Sequence, residues 1–135
     1  MSFANLSPLQ RSVISAFGAF IVYGGWGYYV NSNHALQVSS KAGFVQGTYS
    51  FLLTLMMTIL IEAIYSFISR HVKTKNLPKI MTIFITCLII FSTSWWVNVL
   101  AGTPEIFNTV ILGYVFGSVF TISYVFIVLG LNSRD

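Results

Sequence analysis

The chain has 135 residues, of which 56% are hydrophobic, 16% aromatic and 7% charged, and its formal net charge is +4. Soluble domains carry about 25% charged residues, so this composition excludes an ordinary soluble fold and predicts a surface that faces lipid. The cations are too few, and too confined to the gaps between apolar stretches, to form a nucleic-acid interface, so we expect no nucleic-acid partner.

Four apolar stretches follow one another along the chain, each close to or above the roughly 20 residues that a transmembrane helix needs. They are Val13–Val30, Gly43–Ser69, Ile80–Val99 and Ile106–Leu131. With the helix signals that flank them, they predict one all-α, polytopic membrane domain over residues 1–135. We expect four transmembrane helices at about 8–31, 43–69, 78–100 and 104–131, arranged as two antiparallel hairpins.

A helix start signal precedes the first span. Ser7 can cap the helix, Pro8 suits the first helical position, and Gln10 can complete a capping box. The polar segment Asn31–His34 follows the span in place of a small-residue cleavage site, so we predict a retained helix and not a signal peptide.

Span two carries a polar residue at every fourth position. Because a four-residue step turns the face by about 40°, this stripe winds round the helix, and we expect its middle, from Ser50 to Glu62, to face the bundle interior. Glu62 lies about 12 Å along the helix from Arg70, and an acid inside a span usually faces a bundle interior or a wet cavity. The predicted transport or proton-coupling residues are Glu62, Thr58, Thr54, Ser50 and Gln46.

The alternative interpretation of this stripe is structural. Its hydroxyls can bond back to carbonyls of their own helix. Glu62 can likewise be a structural acid, bonded to nearby hydroxyls or paired with a basic residue of another helix or another protein.

The loop from Arg70 to Lys79 holds four of the seven Lys and Arg residues. Arg11 precedes span one and Arg134 follows span four, whereas the opposite loops hold only Lys41. By the positive-inside rule, we expect both termini and the basic loop on the cytoplasmic side, in a bacterial cytoplasmic membrane. The basic loop could also recruit anionic lipid or a partner.

Small residues predict close helix contacts. In lipid the hydrophobic effect does not drive helices together, so association depends on how closely their backbones can pack. Pro78 is expected to open span three, and Thr103-Pro104-Glu105 to start the helix of span four. Spans one and three end similarly, at Tyr-Val-Asn and Trp-Val-Asn, which indicates a weak internal repeat. The predicted helix-packing residues are Gly43, Gly47, Thr109, Gly113, Gly117 and Thr121.

A second polar group gathers in the loops opposite the basic loop. We expect an outer polar cluster of Asn31, Asn33, His34 and Asn98. His34 and Glu105 are candidate catalytic residues, since they would form an acid–base pair if the two loops meet. The sequence has no Cys/His cluster, phosphate loop or nucleophile motif, and its single cysteine is Cys87, so we expect no metal and no cofactor.

Three classes of function fit these patterns. The first is an accessory or assembly subunit that packs within a membrane complex or against itself. The second is a small proton-coupled transporter or channel that uses Glu62, and the third is a lipid-modifying enzyme that uses His34 and Glu105. The size and four spans resemble small multidrug transporters, but those carry their essential acid in the first helix and span one has none. The expected partners are the lipid bilayer and either a second copy or another membrane protein.

Overall fold

Four long helices make up the computed structural model, which describes residues 2–130. A short 3-10 helix, Phe3–Asn5, precedes α1 (Pro8–Val30), α2 (Leu36–His71), α3 (Leu77–Ala101) and α4 (Ile106–Tyr124), and a π-helical turn, Val125–Leu129, continues α4. All four are long and apolar enough to cross a membrane, α4 together with its π-helical turn. The chain is therefore an all-α, multi-pass integral membrane protein in contact with lipid. Leu131 and Arg134, which the sequence predictions include, lie outside the described residues.

The predicted start of α1 is confirmed. The Ser7 hydroxyl accepts from the Gln10 amide at 3.2 Å, and the Gln10 side chain accepts from the Ser7 amide at 2.9 Å, which completes the capping box. Arg11 folds back on the preceding turn and donates to the carbonyls of Leu6 and Ala4, each at 3.0 Å. The first helix is thus fixed by contacts local in sequence.

α2 begins seven residues before its predicted start at 43, and with 36 residues it is the longest described helix. Four of the seven residues from Leu36 to Ala42 are polar, so the apolar pattern did not reveal this segment. Its first turn is tied to the end of α1, because the Ser39 hydroxyl donates to the Asn31 carbonyl at 2.8 Å.

The predicted start of α4 at Pro104 with Thr103 as the cap is wrong. The helix begins at Ile106, and the Thr103 hydroxyl donates to Asn98 Oδ1 at 2.9 Å, so it does not cap α4. The amide of Glu105 instead donates to Asn31 Oδ1 at 3.0 Å, so the side chain of the residue that follows α1 satisfies the start of α4. Gly102 ends α3 in the left-handed region at φ 71°, a conformation that glycine adopts without steric cost.

Helices adjacent in sequence pack as antiparallel pairs. The α1–α2 contact is the tightest: a Cβ on Gly43 would stand 2.8 Å from the Gly24 carbonyl oxygen, and one on Gly47 would stand 3.0 Å from the Phe20 carbonyl oxygen. We call the end with the α1–α2 and α3–α4 connections, residues 31–35 and 102–105, the Asn end. The opposite end, with the α2–α3 connection at residues 72–76, is the basic end.

An apolar cluster lies between the helices in the half of the bundle nearer the basic end. It consists of Met57, Ile61, Ile90, Val125 and Leu129, all buried. Lys79, which the sequence places in the basic loop, is also buried and only 8% exposed, because α3 begins at Leu77 and carries it between the helices. Its Nζ lies 3.8 Å from the place where a Cβ on Gly130 would stand.

Candidate functional site

A cavity of about 340 Å³ lies among the four helices, and residues of all four line it. α1 and α4 meet near the Asn end, where the Trp26 indole donates to the Asn108 carbonyl at 2.7 Å. Farther toward the basic end, residues of both helices line the cavity. Val22 of α1 and Phe116 of α4 line it and are both 57% exposed, so the cavity opens sideways between these two helices.

The polar stripe of α2 enters this cavity only in part. Gln46 and Ser50 are buried and, with Thr54, line the cavity. Thr58 is half-buried and does not line it. The Thr54 hydroxyl donates to the Ser50 carbonyl at 2.7 Å, which is the bond back to its own helix that the structural interpretation predicts.

The expectation that Glu62 faces the bundle interior is wrong. Glu62 is exposed, and the buried position beside it is Ile61. The three steps from Ser50 turn the face by about 120°, enough to carry the carboxylate from the cavity wall to the surface. Glu62 Oε1 accepts a short hydrogen bond from the Tyr124 hydroxyl of α4, and no described Lys, Arg or His lies within salt-bridge distance of it.

A buried amide pair lies at the Asn end of the cavity. Asn98 is fully buried, and its Nδ2 donates to the Ser94 carbonyl and to Gln46 Oε1, each at 2.9 Å. Its Oδ1 accepts from the Thr103 hydroxyl. Because a carbonyl can only accept, the bond to Ser94 fixes which Asn98 atom is nitrogen, and Gln46 must then present its oxygen to Asn98. The Gln46 nitrogen is left on the cavity side.

Asn31 has an equivalent role at the end of α1. It is fully buried, and its Nδ2 donates at 2.8 Å both to the Gly27 carbonyl and to the Thr109 hydroxyl of α4. Each asparagine thus bonds the carbonyl four residues earlier and a polar side chain of the other hairpin. The predicted outer cluster is therefore divided: Asn31 and Asn98 are structural and buried, whereas Asn33 and His34 are exposed.

The two loops of the Asn end bring the predicted acid–base pair together. His34 Nε2 lies 3.4 Å from Glu105 Oε1, with the side chains 38% and 43% exposed. This distance is longer than a strong hydrogen bond, and the pair lies outside the cavity. A catalytic role for it stays a hypothesis.

Replacing His34 with alanine is expected to change the free energy of unfolding by less than about 1 kcal/mol, because an exposed contact between an imidazole and a carboxylate contributes little. Thermal unfolding of the detergent-purified variant measures this change, with Asn33→Ala in the same exposed loop as the control. A loss of more than about 2 kcal/mol specific to His34 would contradict the exposed geometry.

The small residues of span four lie inside the bundle. Thr109 and Thr121 are fully buried, and Thr121 donates to the Gly117 carbonyl at 2.8 Å. Gly113 and Gly117 line the cavity, and a Cβ at either would meet its first neighbour at 3.6 or 3.7 Å, an ordinary contact. These glycines therefore leave space open, whereas Gly43 and Gly47 permit direct backbone contact with α1.

Comparison with protein-family models, with curated proteins and with solved structures found no match. Within residues 2–130, no group of three or more His, Cys, Asp or Glu residues is arranged to hold a metal ion. Cys87 is half-buried within α3 and free. The chemistry available at the cavity is thus hydrogen bonding and apolar contact, supplied by side chains that the sequence places on all four helices.

Proposed function

We propose that the protein is an accessory or assembly subunit that packs against a larger membrane protein through the exposed surface around Glu62 of α2 and its hydrogen-bond partner Tyr124 of α4. The observation that supports this proposal is the position of the carboxylate: it is exposed on a membrane-spanning helix and has no cation beside it among the described residues. An unpaired carboxylate facing lipid is costly, and a partner that supplied a cation would remove that cost.

The depth of Glu62 follows from its position in α2. Glu62 lies nine residues before His71, the last residue of α2, hence about 14 Å along the helix from that end. Arg70 is the next charged residue along the helix, so the carboxylate lies within the apolar, membrane-spanning part of α2. A partner cation reaching this depth must come from a membrane helix or its first flanking turn.

Charge complementarity favours a different protein over a second copy. A symmetric dimer through this face would bring two Glu62 carboxylates together, and like charges at an interface are unfavourable. The partner we propose carries a Lys or Arg on a transmembrane helix at the depth of Glu62. Lys and Arg can extend along apolar surface to reach such an acid.

Substitution of Glu62 by glutamine is expected to reduce the partner recovered with the protein in mild detergent by at least about tenfold, since one desolvated charge pair is lost. The matched control is Glu105→Gln, which changes the same residue type at the Asn end and should leave recovery unchanged. A photo-cross-linking residue at Ser66, exposed one helical turn from Glu62 on the same side of α2, should label the partner helix, whereas one at the exposed Phe107 near the Asn end should not.

Charge exchange decides whether the recovered protein is the proposed partner. Glu62→Lys should lose the complex, and Lys→Glu or Arg→Glu at the cross-linked position of the partner should restore it. Recovery of the protein as a homo-oligomer without a larger subunit, or full recovery with Glu62→Gln, would contradict the proposal.

A small transporter is the second candidate, and the cavity favours it. Gln46, Ser50 and Thr54 line a chamber that opens sideways to lipid. Glu62 is not among the lining residues, so coupling to protons would need a movement that brings the carboxylate into the path. In this case Glu62→Gln should preserve assembly and abolish proton-coupled flux in proteoliposomes, the reverse of the outcome expected for an accessory subunit.

A further inference from the structure

The cavity among the four helices has the size and lining of a ligand site. Its volume of about 340 Å³ lies at the lower end of the range of about 300–1,000 Å³ for ligand pockets. Its wall is mostly apolar, and none of its described lining residues is charged. The opening between α1 and α4 faces the bilayer, so a ligand can enter from lipid without crossing water.

The Gln46 nitrogen supplies the specific contact. Gln46 is only 1% exposed, its Oε1 is held by Asn98, and its Nε2 donates to no described residue. This nitrogen lies at the cavity wall, 3.6 Å from the place where a Cβ on Gly113 would stand. A donor that faces a mostly apolar cavity and has no acceptor among the described residues is unfavourable, so an acceptor inside the cavity would be bound at this point.

Three hydroxyl groups reinforce the polar side of the cavity. Ser50, Tyr23 and Tyr114 line it, and none of their hydroxyls has a hydrogen bond to a described residue. Ser50 is buried at 5% exposure, and its side chain follows Gln46 by one helical turn on the same wall. Polar groups thus accompany an otherwise apolar chamber, which is the usual composition of a site for small ligands.

We infer that this cavity binds a neutral, single-chain amphiphile whose carbonyl oxygen accepts from Gln46 Nε2 and whose chain lies toward the opening between α1 and α4. The absence of charge from the described lining disfavours phosphate or carboxylate headgroups, because their charge would be buried unpaired. The free donor selects an acceptor such as an ester or ketone oxygen. Gly113 and Gly117 keep the required space open.

The test uses the isolated chain in lipid nanodiscs and a monoacylglycerol with a photoactivatable diazirine in its acyl chain. Labelling should saturate with probe concentration and map to residues of the cavity wall. The analogue with an ether in place of the ester, which lacks only the carbonyl, should bind at least about threefold more weakly. A diazirine fatty acid, charged at its headgroup, should compete poorly.

Two leucine substitutions on α1 separate binding in the cavity from binding at the lipid surface. Gly18 lines the cavity with open space around it, so Gly18→Leu should block the opening and lower labelling at least about fivefold. Gly25 lies seven residues away on the same face, is also open, and does not line the cavity, so Gly25→Leu should label like the unchanged chain. If Gly18→Leu is not monodisperse, Ser15→Phe at another exposed lining position replaces it.

Labelling that does not saturate, or is equal for the ester and the ether, would overturn the inference and indicate annular lipid. Labelling unchanged in a folded Gly18→Leu or Ser15→Phe variant would overturn it as well. The proposed function does not enter this test, because no partner is present and Glu62 does not line the cavity. Failure here and failure of partner recovery are therefore separate results.

Discussion

Asn98→Ala is expected to lower the free energy of unfolding by about 2–3 kcal/mol, and so to be among the most damaging single changes in the bundle. Asn98 is fully buried, and its side chain joins the Ser94 carbonyl, the Gln46 amide and the Thr103 hydroxyl. Single hydrogen bonds between membrane helices contribute only about 0.6 kcal/mol on average. Alanine, however, removes three bonds at once and leaves buried polar groups without partners.

Unfolding in mixed micelles of mild detergent and sodium dodecyl sulfate, followed by tryptophan fluorescence, measures this loss. Trp95 and Trp96 lie within one turn of Asn98 on α3 and should report it. Asn33→Ala removes the same side chain from an exposed loop position, and its effect should stay within about 0.5 kcal/mol. Equal stability of the two variants would contradict the network.

A double-mutant cycle isolates the bond between Asn98 and Gln46. Once Gln46→Leu has removed one partner, Asn98→Ala should cost about 1 kcal/mol less than it does alone, because the Gln46 oxygen is no longer left unpaired. Additive effects would mean that the two amides do not interact in the folded protein.

The parts of the fold that depend on local signals could be predicted from the sequence. Length and apolar composition predict four spans. The capping box from Ser7 to Gln10 and the proline at the start of α3 predict where two of the helices begin, and the structure places both as expected. In each case, the residues that determine the feature lie within a few positions of it.

Features that depend on contacts distant in sequence could not be predicted. Thr103 has the sequence environment of a helix cap, but its hydroxyl bonds Asn98, and Asn31 from another hairpin accepts the amide of Glu105 instead. The buried state of Asn31 and Asn98 likewise depends on how two hairpins meet. A loop sequence alone does not distinguish a solvated asparagine from one that joins two helices.

The polar stripe of α2 was predicted to wind, but the face that points inward was assigned incorrectly at Glu62. A stronger signal is present in α3, where buried residues also recur at every fourth position. They are Pro78, Thr82, Thr86, Ile90, Ser94 and Asn98. Small and polar residues recurring in an apolar helix indicate its packed side in lipid, and this row could have located the side of α3 that contributes Ile90 and Ser94 to the cavity.

Gly43→Val is expected to lower the free energy of unfolding by about 3 kcal/mol or more and to force α1 away from α2. This loss should be larger than that caused by a substitution at a residue that lines the cavity. A Cβ on Gly43 would stand 2.8 Å from the Gly24 carbonyl oxygen and 3.0 Å from the Tyr28 Cβ, so no rotamer change can relieve the clash. Gly43→Ala already introduces this Cβ and should lower the free energy of unfolding by about 2 kcal/mol. Gly25→Val, at an open position of α1, should fold with nearly unchanged stability.

Unfolding in the same mixed micelles of mild detergent and sodium dodecyl sulfate ranks the stabilities of these variants. Gly113→Ala gives a second comparison within the bundle. A Cβ on Gly113 would first meet Gln46 Nε2 at 3.6 Å, so alanine there should be tolerated. If Gly43→Ala were as stable as Gly113→Ala, direct backbone contact would not hold the first hairpin together. If Gly43→Ala is destabilised and Gly113→Ala is not, direct backbone contact holds the first hairpin together, whereas Gly113 of α4 leaves space at the cavity.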